Sequence, residues 1–175
     1  YNIYGGQQDN TSVKIASLSV GRWSINQEDW HYAAGGESAF LAFDPDNPRY
    51  MMGGSYLGTI ELLDMESKMS SNVMAAPIQY LGRDARDMKY LYNWNAPIIW
   101  SQHEPGTFYH GAQLVLRTKD NGVTWEEISP DLTRDQDELQ GKGGGPYTNE
   151  AVGAENYGTL AYIIESPHEA GVLIT

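Results

Sequence analysis

One pattern recurs along this chain and restricts its fold more than any other feature: a strand end, a polar turn containing proline or glycine, then a second strand. It appears as Phe43-Asp44-Pro45-Asp46-Asn47-Pro48-Arg49-Tyr50-Met51-Met52-Gly53-Gly54 and again as Trp100-Ser101-Gln102-His103-Glu104-Pro105-Gly106-Thr107-Phe108-Tyr109-His110-Gly111. A third copy, Glu165-Ser166-Pro167-His168-Glu169-Ala170-Gly171-Val172-Leu173-Ile174-Thr175, ends the chain. Pro48 and Pro105 are 57 residues apart, and Gly106 and Gly171 are 65 apart. Matching Tyr4-Gly5-Gly6 to Met52-Gly53-Gly54 adds an earlier copy at a spacing of 48. Unequal spacings of this kind suit a sheet unit of about 40 to 50 residues carrying loops of different length, and not a solenoid of fixed rise.

Within a copy, β-branched and aromatic runs between turn residues place the strands. Residues 97–102, 107–111, 113–118 and 124–129 read as one four-stranded meander; 39–44, 50–54, 58–64 and 71–75 read as the one before it. Residues 1–19 supply the second and third strands of an earlier unit, and 159–175 the first two of a later one. The fold class expected is therefore all-β, made of four-stranded antiparallel β-propeller blades in an incomplete ring. Its parts are a partial blade at 1–19, a blade at 38–75 with an inter-blade insertion at 76–95, a blade at 96–129, an insertion at 130–157 and a partial blade at 158–175. Open sheet edges invite aggregation, so Tyr1 and Thr175 are expected to interrupt a longer ring whose remaining blades complete it.

Composition agrees with this and excludes some partners. Nineteen glycines, 12 tyrosines and 5 tryptophans with only 19% charged residues describe a turn-rich, aromatic chain, as strands and tight turns require. Eleven Lys and Arg against 23 Asp and Glu give a formal charge of -12, a field that repels phosphate backbones, so no nucleic acid is expected as a partner. No apolar run approaches the ~20 residues that a membrane-crossing helix needs, so no membrane insertion is expected either. The chain has no cysteine, which excludes disulfides and thiolate chemistry.

The most specific motif is Thr118-Lys119-Asp120-Asn121-Gly122-Val123-Thr124-Trp125, which satisfies the Asp-box pattern S/T-x-D-x-G-x-T/S-W. Asp120 can accept backbone hydrogens across a turn, Gly122 can take a positive φ, and Trp125 can anchor the following strand between sheets. Thr118, Asp120, Gly122, Thr124 and Trp125 are thus structural residues of a hairpin and do no chemistry. Further segments join it: Tyr4-Gly5-Gly6-Gln7-Gln8-Asp9-Asn10, Asp44-Pro45-Asp46-Asn47-Pro48, Asn93-Trp94-Asn95-Ala96-Pro97-Ile98, Ile128-Ser129-Pro130-Asp131-Leu132-Thr133, and Gly158-Thr159 with Glu165-Ser166-Pro167. Together they resemble large bacterial secreted proteins with BNR or sortilin-like propeller repeats, of the glycosyl hydrolase or xyloglucanase-like kind, over nearly the whole chain. The resemblance implies a secreted, periplasmic or cell-surface protein. Where relatives carry G-G-D-G, this chain has Gly35-Gly36-Glu37-Ser38, keeping an acid and losing a glycine.

In a propeller, the loops joining second to third strands and those leading into the next blade share one face, opposite the Asp boxes. That face is expected to hold Gln8, Asp9, Asn10, the turn around Tyr56, and segments with Trp23, Trp30, His31, Arg83, Asp84, Arg86, Asp87, Tyr92, Trp94, Glu150 and Glu155. Glu37 and Trp94, also 57 apart, both precede an innermost strand. The ligand-binding candidates are Trp94, Tyr92, Gln8, Asp9, Asn10 and Glu37, with rings to stack on a sugar or peptide and polar groups to fix it. The plainer reading is that Trp23, Trp30 and Trp94 pack between blades, as large aromatics are mostly buried. Glu37, Asp9 and Asp84 are the candidate acids for a glycosidase pair, which requires carboxyls roughly 5 to 9.5 Å apart, with Asp87, Glu150 and Glu155 behind them.

Other motifs fall away. His103-Glu104 and His168-Glu169 lack the second histidine of H-E-x-x-H, Asp44-Pro45-Asp46-Asn47 lacks the glycine and distal Glu of a calcium loop, and Gly141-Lys142-Gly143-Gly144-Gly145-Pro146 lacks Walker spacing. No metal site and no cofactor is expected. An arginine triad of the sialidase kind cannot be picked out among six arginines. The preferred reading is an extracellular module that binds a carbohydrate, peptide or protein partner on its loop-rich face. The alternatives are a xyloglucanase-like glycoside hydrolase, with an acid pair on that face, and a surface scaffold.

Overall fold

The repeated turn closes in the same way at two places. Ser101 Oγ accepts the amides of His103 and Glu104 at 3.2 and 3.0 Å, and Ser166 Oγ accepts those of His168 and Glu169, each at 3.2 Å. Each turn ends on a glycine at φ 75°, Gly106 and Gly171, a conformation that costs other residues a Cβ clash. Asp44 serves the earlier copy with its carboxylate, accepting the Asp46 amide at 2.9 Å. Side-chain acceptors of this type hold a turn that strands then extend on either side.

The structure, a computed structural model, describes residues 1–37, 40–78, 83–141 and 156–175. Among these residues thirteen strands form four open antiparallel sheets, each a meander in chain order. The first sheet contains β1 (Asn2–Gly5), β2 (Val13–Ala16) and β3 (Trp30–Tyr32). The second contains β4 (Leu41–Phe43), β5 (Tyr50–Gly54), β6 (Ile60–Asp64) and β7 (Ser70–Asn72). The third contains β8 (Ile98–Trp100), β9 (Phe108–Gly111), β10 (Val115–Thr118) and β11 (Glu126–Glu127). The fourth pairs β12 (Ile164–Glu165) with β13 (Leu173–Ile174).

Strand boundaries depart from expectation where the backbone turns early. β6 begins at Ile60 because Leu57 and Gly58 adopt φ 59° and 69°, and a left-handed pair cannot continue a strand. β10 begins at Val115 because the Ala112 amide closes onto the Leu114 carbonyl at 2.9 Å. The larger correction is in the first sheet, which does not stop at residue 19: Ile15 pairs with Trp30 and Lys14 with His31. Trp30 and His31 are strand residues and not part of an inter-blade loop. The β-forming triplet Trp30-His31-Tyr32 carries that signal, but the glycine and serine run ahead of it hides the continuation.

The sheets lie against one another in chain order, and alternate residues of a strand serve opposite neighbours. Met51 and Leu63 of the second sheet pack with Ala33 and Ala34 and with Tyr4 of the first. Ala42, Met52 and Ile60, on its other side, meet Ile98 and Phe108 of the third. Tyr109 and Val115 then meet Ile163 and Leu173. Each such side chain taken from water adds roughly 1.5 to 3 kcal/mol. Aromatic rings span the first two junctions: Tyr4 lies 4.8 Å from Phe43, and Phe43 stacks at 6.2 Å on Trp100.

Candidate functional site

Antiparallel meanders send successive turns to opposite ends of the sheet, and this sorts the chemistry. One end carries the Asp box and the Ser101 turn, tied by a 2.9 Å ion pair between Lys119 and Glu104. Thr118 Oγ1 donates to Asp120 Oδ1 and accepts the Gly122 amide, both at 2.8 Å. Asp120 in turn accepts the Thr124 hydroxyl at 2.7 Å and its amide at 2.9 Å. These bonds, led by the Thr124 hydroxyl, hold the Asp120 carboxyl below the usual carboxylate range. With every acceptor facing its own turn, the segment is a closed structural hairpin.

The opposite end holds the β1–β2, β5–β6 and β9–β10 connections and the chain leading into β4 and β8. There Glu37 Oε2 accepts the amide of Asp9 at 2.9 Å. Asp9 sits at φ 56°, a left-handed position that Asp tolerates better than most residues. Ser12, fully buried, donates its hydroxyl to the Gly36 carbonyl at 2.9 Å, and the Gly36 amide donates to Gly54. The first and second sheets are thereby stitched together beneath the loop, which fixes the position of Glu37.

Asp9, Asn10, Glu37, Ser55 and Tyr56 line a shallow hollow of about 450 Å³. Ser55 also lines two neighbouring hollows, one of about 450 Å³ running along Tyr56, Asn72, Met74 and Ile78 and one of about 360 Å³ over Gly35, Thr59 and Glu61. The three form a branched groove, acidic at one end and apolar at the other. Trp94 extends it, its ring 5.9 Å from that of Tyr56 at 41°. The turn beneath is held by the buried Leu57 at φ 59° and by Gly58, where a Cβ would lie 2.2 Å from the Tyr92 ring.

The structure thus gathers Asp9, Asn10, Glu37 and Trp94 around Tyr56, with Gln8 exposed in the same loop. Tyr92 must be corrected. Its ring is 2% exposed and stacks on His110 at 4.9 Å, so it supports Gly58 from below and offers no face to a ligand. Asp84 is not part of the groove lining. It pairs at 3.6 Å with Arg86, which also reaches Asp137 at 2.9 Å. Trp23, fully exposed, lies in the β2–β3 connection at the end opposite Asp9, and half-exposed Trp30 is on β3. Neither packs between sheets. Ser38, Glu150 and Glu155 lie outside the described residues.

Glu61 is a groove residue that sequence reading missed. It accepts the Tyr32 hydroxyl and, at 2.8 Å, the Gly35 amide. Burial, then the Glu61 carboxylate, raises the Tyr32 hydroxyl well above the ordinary tyrosine range. The available signal was an acid inside an apolar strand, paired across the sheet with Gly53. Among the described residues no three His, Asp or Glu side chains converge as metal ligands, and no helix is long and apolar enough to cross a membrane. Chemically, the groove can present carboxylate and amide acceptors beside an aromatic face, an arrangement suited to a ligand with donors along one side and an apolar surface on the other. No family model, curated protein or solved structure matches this chain.

Proposed function

We propose that the four sheets are blades of an Asp-box β-propeller and that the chain is an extracellular binding module. In this reading the ligand is a polysaccharide, peptide or partner protein, held at the end away from the Asp box. Two meanders of four strands each support the propeller reading, as does the contact of their first strands, β4 and β8, where a central channel would run. Secretion or display at the cell surface rests on the motif resemblance alone. The observation that carries the binding reading is the Tyr56 and Trp94 pair, 5.9 Å apart and only partly buried, beside the fixed acceptors of Glu37 and Asp9.

A glycoside hydrolase is the second reading, favoured by one fact: Asp9 and Glu37 share a hollow. Binding ranks first because Glu37 already uses one oxygen on the Asp9 amide, a positioning role that a proton-transferring acid would have to give up. The test is retention of the chain on a panel of immobilised β-glucans and peptides, with reducing-sugar release measured in parallel. Tyr56→Ala and Trp94→Ala should each weaken retention about 3- to 10-fold, the loss of one aromatic contact, with no release of sugar by the parent chain. Equal retention by parent and variants would remove the groove from the function, and release abolished in Glu37→Gln would make the second reading the right one.

A further inference from the structure

The two middle sheets bury both faces, whereas the first and last sheets bury one each. In the first sheet the face bearing Tyr4 meets Phe43, and the opposite face is a cross-strand row of Ile3, Ile15 and Trp30. Ile3 is 59% exposed and Trp30 48%. In the last sheet Leu173 and Ile163 meet Tyr109 and Val115. The other side carries the directly paired Ile164 and Ile174, exposed by 52% and 55%, with half-exposed Tyr162 beside them. Ordered rows of large apolar side chains such as these mark interaction surfaces, unlike single exposed residues.

The two rows also differ in kind. At each internal junction a sheet presents one face forward to the sheet that follows it, which receives it on its backward face: Met52 forward onto Phe108, Tyr109 forward onto Leu173. The uncovered row of the first sheet is a backward face and that of the last sheet is a forward face. We propose that these two faces dock on each other between copies of the chain, the last sheet of one copy against the first sheet of the next, continuing the packing already present at three junctions. The partner is thus a second copy in a heterologous, head-to-tail contact, which either closes a ring or extends. This rests on the observed sheet packing and stands apart from the groove and its ligand. The formal charge of -12 on each copy opposes the contact, so association should strengthen as salt screens it.

Direction makes the proposal separable from non-specific stickiness. Ile3→Lys spoils only the backward face and Ile164→Lys only the forward one, both at exposed positions where the fold should be kept, with far-UV circular dichroism as the check. Sedimentation velocity over a concentration series to about 1 mM should show the parent chain associating reversibly, more so at about 0.5 M salt than at 0.05 M. Each variant alone should associate at least tenfold more weakly, and an equimolar mixture should form a one-to-one dimer that grows no further. A parent chain that stays monomeric throughout would overturn the proposal. So would either variant associating as the parent does, or a mixture that behaves as its separate components do.

Discussion

The indole Nε1 of Trp125 donates a 2.8 Å hydrogen bond to the carbonyl oxygen of Val73, which follows the last strand of the preceding sheet. A Cβ on Gly122 of the same turn would lie 2.7 Å from the Val73 side chain. The Asp box is therefore a joint between sheets as well as a hairpin. Trp125→Phe keeps most of the ring contact and deletes the donor, so it should cost about 1 kcal/mol, read as a lower urea midpoint at unchanged m-value. An unaltered midpoint would mean that the bond adds nothing over water.

Gly5 and Gly53 occupy the same position in the repeated sequence and differ in what surrounds them. A Cβ on Gly53 would fall 2.0 Å from the Ala34 carbonyl oxygen, whereas nothing lies within 4 Å of one on Gly5. Backbone cannot move aside as a side chain can, so Gly53→Ala should destabilise by about 3 kcal/mol or more. Gly5→Ala should stay within about 0.5 kcal/mol. Thermal unfolding of the two variants side by side checks this contrast.

That contrast also shows what the sequence could and could not reveal. The recurrence of strand and turn was legible because Ser101 and Ser166, Gly106 and Gly171, keep the residue types their turns require. The close approach of Ala34 to Gly53 was not, because nothing local in Gly53 distinguishes it from Gly5; the difference lies in a segment 19 residues earlier in the chain. The groove was partly legible for a related reason. Asp9, Asn10, Glu37 and Trp94 were marked by residue type in loops, but whether a ring faces out depends on what packs behind it. Tyr92 turned inward because Gly58 and His110 supply it with two flat surfaces, and no spacing rule encodes that. Glu61 was passed over because alternation in β6 predicts only which side it faces, not that the Gly35 amide comes to meet it.

His110 is buried against Tyr92 and Trp125, and its Nδ1 lies 2.9 Å from the Pro97 carbonyl oxygen, which can only accept, so Nδ1 carries the proton. Nε2 is buried with no hydrogen-bond partner among the described residues. Burial, opposed by the Pro97 bond, pulls the imidazole down to about 4. The unfolded chain, titrating near 6.5, binds the proton first, so the neutral ring stabilises the fold fully above about pH 6.5 and less as pH falls to about 4. The loss across that window is on the order of 3 kcal/mol. His110→Phe should flatten stability between pH 6.5 and 4 while leaving the fall below pH 4, where Asp64, held at about 2 by Arg49, takes its proton. A parent stability that does not change between pH 6.5 and 4 would refute the assignment.

Glu165 is 1% exposed, and its carboxylate accepts only from uncharged donors: the Ser101 hydroxyl at 3.0 Å, the Gln102 amide at 2.6 Å and the Tyr109 hydroxyl at 3.2 Å. All three belong to the third sheet or its turn, so this acid fastens the last sheet to its neighbour. Ser101 Oγ already accepts two amides from its own turn, which leaves it only a proton to offer. In Glu165→Gln one oxygen can still meet Gln102, but the new NH₂ then faces a hydroxyl with no free lone pair. This nominally conservative change should therefore cost about 1 to 3 kcal/mol. Ser101→Ala removes the same conflict together with the turn cap, so the double variant should be less destabilised than the sum of the two singles. A double-mutant cycle by urea unfolding measures that coupling, and strict additivity would show that Glu165 does not act through Ser101.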